Sequence, residues 1–79
     1  MKLLKFEKEN CPACTMVENF LQENNVYVEK VNPFENPKLA VQYKISSVPV
    51  TILLDEEGEE VKRSVGFKPD ELENIIIAL

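Results

Sequence analysis

Two cysteines three positions apart, Cys11 and Cys14 in the segment ENCPACT, carry the most evident chemistry in this sequence. They are the only cysteines, and the chain has no histidine. Pro12 predicts the start of a helix, because the N–H group that proline lacks would have no partner in a first helical turn. Cys11 then lies at the N-cap, where free backbone N–H groups and the helix dipole favour a thiolate. Cys14 lies one turn further along, shielded but within reach of Cys11.

This asymmetry suits thiol–disulfide exchange, in which an exposed thiolate attacks a disulfide and a second thiol resolves the mixed disulfide. Cys11 is therefore the predicted nucleophile and Cys14 the predicted resolving thiol, with a redox-active Cys11–Cys14 disulfide in the oxidised form. Two alternatives stay open. A structural disulfide that closes so short a loop stabilises little, and a zinc or iron–sulfur site needs further ligands from carboxylates or another chain. The pattern favours the redox interpretation, with no metal.

Composition narrows the remaining classes of function. With 79 residues, the chain is expected to form a single domain, residues 1–79. Its net charge of −5, with nine basic residues scattered among fourteen acidic ones, argues against nucleic acid and anionic membranes as partners. The N-terminal MKLLKFEKEN has no signal-peptide pattern, and no apolar run approaches a membrane span. We expect a cytoplasmic monomer, in a compartment where a cysteine pair is more often catalytic or metal-binding than structural.

Hydrophobic periodicity predicts the elements that position the cysteines. Strands are predicted at residues 3–7, 26–31, 48–55 and 59–65, and helices at 12–24, 37–43 and 69–79. In the first helix the apolar stripe is predicted to be core, and it comprises Met16, Val17, Phe20 and Leu21. The order β-α-β-α-β-β-α predicts an α/β fold with a mixed four-stranded sheet and helices on both faces.

Three segments of the sequence resemble a known superfamily. KENCPAC, residues 8–14, is similar to the Lys-x-x-Cys-Pro-x-Cys opening of glutaredoxins. Residues 30–54 resemble the middle of a thioredoxin, with Val48-Pro49 at the right distance from the cysteines. GFKPDEL, residues 66–72, is similar to a stretch of the NrdH-type redoxins, which reduce ribonucleotide reductase. The resemblance to the thioredoxin/glutaredoxin superfamily implies a minimal thioredoxin fold and a protein disulfide reductase.

The resemblance also implies a substrate-binding surface. Pro49 is expected to have a cis peptide bond and to face the cysteine pair, and the backbone of Val48 is expected to pair with a substrate strand. Gly66 follows the last strand, as in the family. Phe67 either extends an apolar rim where partners dock or covers the end of the final helix.

Three further residues around the cysteines are expected to support them. Pro12 and Ala13 stand between the two cysteines, and Lys8 precedes Cys11 by three positions. The charge of Lys8 would stabilise the Cys11 thiolate, or Lys8 is simply a solvated loop residue.

The sequence departs from the family pattern where acid–base chemistry is expected. Thioredoxins carry a buried aspartate six positions before the first cysteine, and this chain has Lys5 there. The acid–base role toward Cys14 is therefore vacant, or it has moved to Glu7 on the same face of the strand.

Other departures bear on the source of electrons. Val65-Gly66-Phe67 stands where glutaredoxins carry a Gly-Gly-x-Asp stretch for glutathione, and Ala13 replaces the aromatic residue of their motif. The resemblance then implies recharging by thioredoxin reductase with NADPH rather than by glutathione, and no bound cofactor. Disulfide-containing proteins are the expected substrates, with ribonucleotide reductase as one candidate. A glutathione-coupled glutaredoxin and a metal-binding or interaction module that retains the fold are the alternatives.

Overall fold

A computed structural model describes all 79 residues, and it confirms the predicted order of elements. The strands are β1 (Lys2–Phe6), β2 (Glu29–Val31), β3 (Val50–Leu54) and β4 (Glu60–Val65), and the helices are α1 (Pro12–Glu23), α2 (Pro37–Gln42) and α3 (Pro69–Ala78). The four strands form one sheet in the order β2-β1-β3-β4. β1 and β2 are parallel, and the other two pairs are antiparallel, so the sheet is mixed as predicted. No helix combines the length and the apolar character needed to cross a membrane.

The sheet separates two hydrophobic clusters, because successive side chains of a strand point to opposite faces. One cluster joins the sheet to α1 and α3, and it consists of Leu3, Val17, Leu21, Val28, Leu53, Leu72 and Ile75. The other lies on the opposite face, where Leu39 and Tyr43 pack against it, and it consists of Leu4, Phe6, Val31, Val50, Ile52 and Leu54. All five residues of β3 are buried, as its nearly continuous apolar sequence predicts.

Two strands are shorter than their sequences predict. Residues 26–28 lie outside β2, because the Val26 N–H donates to the Leu21 carbonyl oxygen at 3.0 Å and so completes the end of α1. Val28 is nevertheless buried among the residues beneath α1. β3 begins at Val50 rather than at Val48, and Val50 is the first residue of this strand that pairs with β1.

The prediction that Met16 belongs to the core is wrong. Met16 is 50% exposed, whereas Cys14, Val17 and Leu21 are the buried residues of α1. At 3.6 residues per turn, Met16 lies nearly opposite the stripe that these three residues form. Phe20 is partly buried and packs against the core cluster from its side.

Candidate active site

The two cysteines lie at the start of α1. Cys11 is the N-cap residue, with an extended backbone, and Pro12 occupies the first turn. A disulfide joins Cys11 to Cys14, whose Cα atoms are 5.2 Å apart. The backbone N–H of Cys14 donates to the Cys11 Sγ atom at 3.2 Å. Cys14 is 4% exposed and Cys11 only half-buried, so Cys11 is the more accessible cysteine.

Val48 borders a groove, and Pro49 follows it in the chain. The peptide bond between them is cis, and the Pro49 side chain is fully buried. Val48 and Lys8 line this groove of about 460 Å³, together with Pro33, Phe34, Ala40, Ile45, Ser46 and Ser47. Lys8 also lines a second, smaller cleft that reaches Cys14. Lys8 therefore lies between the groove at Val48 and the buried cysteine.

Gly66 is tied to Pro49. Its N–H donates to the Pro49 carbonyl oxygen at 2.8 Å, and its φ of +84° lies in the left-handed region that favours glycine. Phe67 packs its ring edge-on against Phe20 of α1, with ring centroids 6.3 Å apart. Phe67 thus contacts the core beneath α1.

The two residues between the cysteines differ in exposure. Pro12 is exposed and borders a shallow surface depression together with Cys11, Asn10 and Thr15. Ala13 is half-buried and lines none of the clefts around the site.

Lys5 is buried in the central strand β1, with 1% of its side chain exposed. Its Nζ atom lies 2.7 Å from a Glu7 carboxylate oxygen and 3.0 Å from a Glu18 carboxylate oxygen. Lys30 of β2 reaches the same Glu18 oxygen, also at 3.0 Å. The four side chains form a connected charge cluster of two lysines and two glutamates.

Sequence reasoning singled out Lys5 and Glu7 but missed Glu18. A signal for it was present, because Glu18 follows Cys14 by four positions and therefore shares its face of α1.

Lys5 belongs to a polar rung that crosses the sheet. The strand register aligns Lys5 with Lys30 on one side and with Thr51 on the other, and Thr51 with Ser64. Lys5, Thr51 and Ser64 are the buried polar residues of the structure. The Ser64 hydroxyl donates to Glu71 at 2.8 Å, and the Thr51 hydroxyl has no hydrogen-bond partner. We call Lys30, Lys5, Thr51 and Ser64 the polar rung.

All four side chains of the charge cluster line a cleft that reaches the inner cysteine. The cleft measures about 210 Å³ and is lined by Lys5, Glu7, Lys8, Cys14, Thr15, Glu18 and Lys30. Its lining is strongly polar, with one buried sulfur among five charged side chains. No group of three or more His, Cys, Asp or Glu side chains is arranged to hold a metal ion.

Comparison with known proteins identifies the family. The thioredoxin family model matches residues 1–78. The chain belongs to the thioredoxin family. The SPbeta prophage-derived thioredoxin-like protein YosR of Bacillus subtilis is 47% identical over 76 residues, which cover 96% of this chain and 95% of that protein. The thioredoxin of Chlamydia pneumoniae is 41% identical over 80 residues, which cover 94% of this chain and 78% of the relative.

Solved thioredoxin structures share the fold. Thioredoxin 1 from Thermosipho africanus superposes with a TM-score of 0.75 at 28% identity, covering 99% of this chain and 92% of its own. Membership of this family, together with the joined cysteine pair at the start of α1, makes this thioredoxin-family protein a thiol–disulfide oxidoreductase.

The electrostatics of this thioredoxin-family site centre on Glu18. Burial alone would raise the pKa of Glu18, but hydrogen bonds from Lys5 and Lys30 outweigh it and hold the pKa below its ordinary value of 4.5. The hydrogen bond to Glu18 in turn raises the pKa of Lys30. Both changes keep this ion pair charged at neutral pH, so fixed charges of both signs lie beside Cys14.

Proposed function

We propose that this protein reduces disulfide bonds in other proteins, with Cys11 as the nucleophile and Cys14 as the resolving thiol. The position of Cys11 at the N-cap of α1 carries this proposal, because the Cys14 N–H already donates to the Cys11 sulfur. The same donor, with the positive end of the helix dipole, would stabilise a Cys11 thiolate. Cys14 is buried beneath it and is suited to attack only from inside the protein.

The reaction has two exchange steps. The Cys11 thiolate attacks one sulfur of the substrate disulfide, that bond breaks, and the other substrate sulfur leaves as a thiolate and takes up a proton. Cys14 then loses its proton and attacks the Cys11 sulfur, which frees the second substrate sulfur as a thiolate that is protonated in turn. The substrate has gained two electrons and two protons, and the cysteine pair has become the disulfide seen in the structure.

We propose that the substrate docks along Val48 and Pro49. The groove beside Val48 supports this site, because Lys8 connects it with the cleft that reaches Cys14. A segment that carries the target disulfide would lie with one side chain in the groove. Gly66 would support this edge through its hydrogen bond to Pro49, and Phe67 by packing behind it on Phe20.

The electrons that reopen the Cys11–Cys14 disulfide come, in this proposal, from NADPH through a thioredoxin reductase. The absence of the glutaredoxin features at Ala13 and Val65-Gly66-Phe67 favours this source over glutathione. Residues 1–79 would act as a single cytoplasmic domain and as a monomer, without a bound cofactor. Ribonucleotide reductase is one candidate among the protein substrates.

A trapping experiment tests the roles of the two cysteines. The Cys14→Ser variant should retain the substrate as a mixed disulfide on Cys11, which is visible on a non-reducing gel and disappears with dithiothreitol. The matched Cys11→Ser variant should trap nothing. Trapping by Cys11→Ser alone would reverse the roles, and failure of the native protein to reduce insulin in the presence of dithiothreitol would exclude the function.

The source of electrons needs a separate assay. Insulin reduction should proceed with NADPH and thioredoxin reductase. It should be slow with NADPH, glutathione and glutathione reductase, and the reverse result would identify a glutathione-coupled enzyme.

A further inference from the structure

The lysine in the charge cluster is in an unusual place. Lys5 lies in the middle of the sheet, between two paired strands and under α1, with 1% of its side chain exposed. Lysine is almost never fully buried without a partner, and here two carboxylates compensate its charge. An ion pair of this kind adds little stability compared with apolar side chains of similar volume. Stability alone therefore does not account for a lysine at this position.

The cleft connects this lysine with the inner cysteine. Lys5 and Cys14 line the same space of about 210 Å³, and both are almost completely shielded from bulk water. Because little water screens it, a buried charge acts on a nearby group more strongly than an exposed one.

We propose that the buried ammonium group of Lys5 stabilises the thiolate that Cys14 forms when it attacks the mixed disulfide on Cys11. The inference rests on the proposed function, since it assigns an electrostatic partner to the resolving thiol. Lys5 acts here as a positioning residue that places a positive charge beside Cys14, and it takes no part in the proton transfer.

The proton balance follows from this role. The Cys14 thiol gives its proton to solvent in the cleft, and the negative charge on its sulfur is offset by the Lys5 ammonium. As the Cys14 sulfur bonds to the Cys11 sulfur, that negative charge passes to the departing substrate sulfur, which is then protonated. No further oxidant or reductant is needed.

The effect of a substitution on the Cys14 thiolate depends on all the charged groups that face the cleft. The positive ones come from β1, the following loop and β2, and the negative ones from that loop and α1; they are Lys5, Lys8, Lys30, Glu7 and Glu18. Removing Lys5 leaves two carboxylates facing Cys14 and should make its thiolate harder to form. Removing Glu18 frees the Lys5 ammonium from one of its two partners and should make the thiolate easier to form.

The experiment follows the ultraviolet absorbance of the Cys14 thiolate against pH in the Cys11→Ser background, where Cys14 is the only thiol. Lys5→Met, which keeps most of the length of the side chain but removes its charge, should raise the midpoint of this titration by about one pH unit. Glu18→Gln should lower it. Lys5→Arg, which keeps the charge, should stay close to the parent.

Lys30→Met is the matched control. Like Lys5→Met, it removes a positive charge that pairs with Glu18, but the Lys30 side chain is 49% exposed. Its midpoint should therefore move by less than half as much as that of Lys5→Met. An equal shift would show that Glu18, rather than the buried position of Lys5, controls the ionisation of the Cys14 thiol. That result would overturn the proposal.

Two other results would also overturn it. One is an unchanged midpoint in folded Lys5→Met, with folding checked by circular dichroism. The other is a higher midpoint in Glu18→Gln. If Lys5→Met does not fold, Glu18→Gln decides alone: a lower midpoint supports the proposal, and an unchanged or higher one rejects it.

A kinetic readout completes the test and separates this inference from the proposed function. Below the midpoint, Lys5→Met should release substrate from the mixed disulfide about threefold more slowly, because a roughly tenfold smaller thiolate population is partly offset by the greater nucleophilicity of a less acidic thiol. An unchanged release rate would reject the role of Lys5. Failure of the native protein to reduce insulin would instead reject the proposed function, whatever the titrations show.

Discussion

The ammonium nitrogen of Lys5 lies 3.0 Å from a carboxylate oxygen of Glu18, thirteen residues away in the sequence. This contact joins the central strand β1 to α1, the helix that begins at the cysteine pair. One turn before Glu18 the helix carries Cys14, and one turn after it Leu21 packs into the apolar cluster. The ion pair therefore lies between the redox centre and the core.

Loss of the buried lysine should destabilise the fold. Lys5→Ala leaves Glu7 without its ion-pair partner and Glu18 with Lys30 alone, and it creates a cavity, so the free energy of unfolding should fall by about 3 kcal/mol. Urea denaturation of the oxidised protein measures the change. Lys2→Ala is the control, because the Lys2–Glu29 pair is about half exposed and should contribute less than about 0.5 kcal/mol. Equal losses in the two variants would contradict the prediction.

Stability should depend on pH through Glu18. Its pKa in the folded protein lies below the ordinary value of 4.5, so its ion pairs stabilise the protein fully above that pH. The stabilisation is lost as the pH falls through the lower pKa of the folded state, because the unfolded chain then binds the proton more readily. Unfolding curves collected between neutral and acidic pH should show this loss in the native protein, and a smaller one in Glu18→Gln. Parallel curves for the two proteins would show that Glu18 has no such role.

Gly66 should matter for both stability and substrate binding. Its φ of +84° strains any residue with a Cβ atom, although a Cβ there meets no atom within 4 Å. Gly66→Ala should therefore cost about 1 kcal/mol from backbone strain alone. Gly58→Ala is a matched control, since Gly58 has a φ of +82° and equally open surroundings, but lies in the hairpin between β3 and β4.

The two glycine variants should differ in activity. Both should lose similar stability, but only Gly66→Ala should raise the KM for insulin, because a backbone that relaxes away from the strained φ would move the N–H that donates to the Pro49 carbonyl oxygen. An unchanged KM in Gly66→Ala would argue against a substrate edge at Pro49.

Phe34 should contribute to the recognition of protein substrates. It lines the groove beside Val48, and 77% of it is exposed. Phe34→Ala should raise the KM for insulin severalfold and leave the reduction of a small aromatic disulfide unchanged, because the small molecule does not fill the groove. Tyr27→Ala serves as control: Tyr27 is 87% exposed and lines none of the clefts around the site. A similar KM change in both variants would mean that the groove has no specific role.

Local sequence signals predicted the start of the site well. Pro12 indicates where α1 begins, because its effect depends on its own backbone and the adjacent turn. The position of Cys11 at the N-cap follows from that start. The order of the elements and the mixed sheet follow from short-range periodicity in the same way.

Contacts between elements that are distant in the sequence were harder to predict. The polar rung depends on strand register, which places Lys5 beside Thr51 across forty-odd positions of sequence, and no local pattern encodes that alignment. Met16 shows the same limit, since an apolar residue that precedes buried Val17 in the sequence is easily assigned to the core until the layer that packs on the helix is known. The sequence predicts a strand at Val26, but its N–H group donates to the Leu21 carbonyl oxygen at the end of α1 instead.

The polar rung divides one face of the sheet into two compartments. On one side of it lie Cys14 and Pro49, and on the other the apolar cluster around Leu3 and Leu53. Because the polar rung lies between the two ends of this face, we expect local opening at the cysteines to leave the cluster around Leu3 and Leu53 packed, which amide hydrogen exchange would reveal.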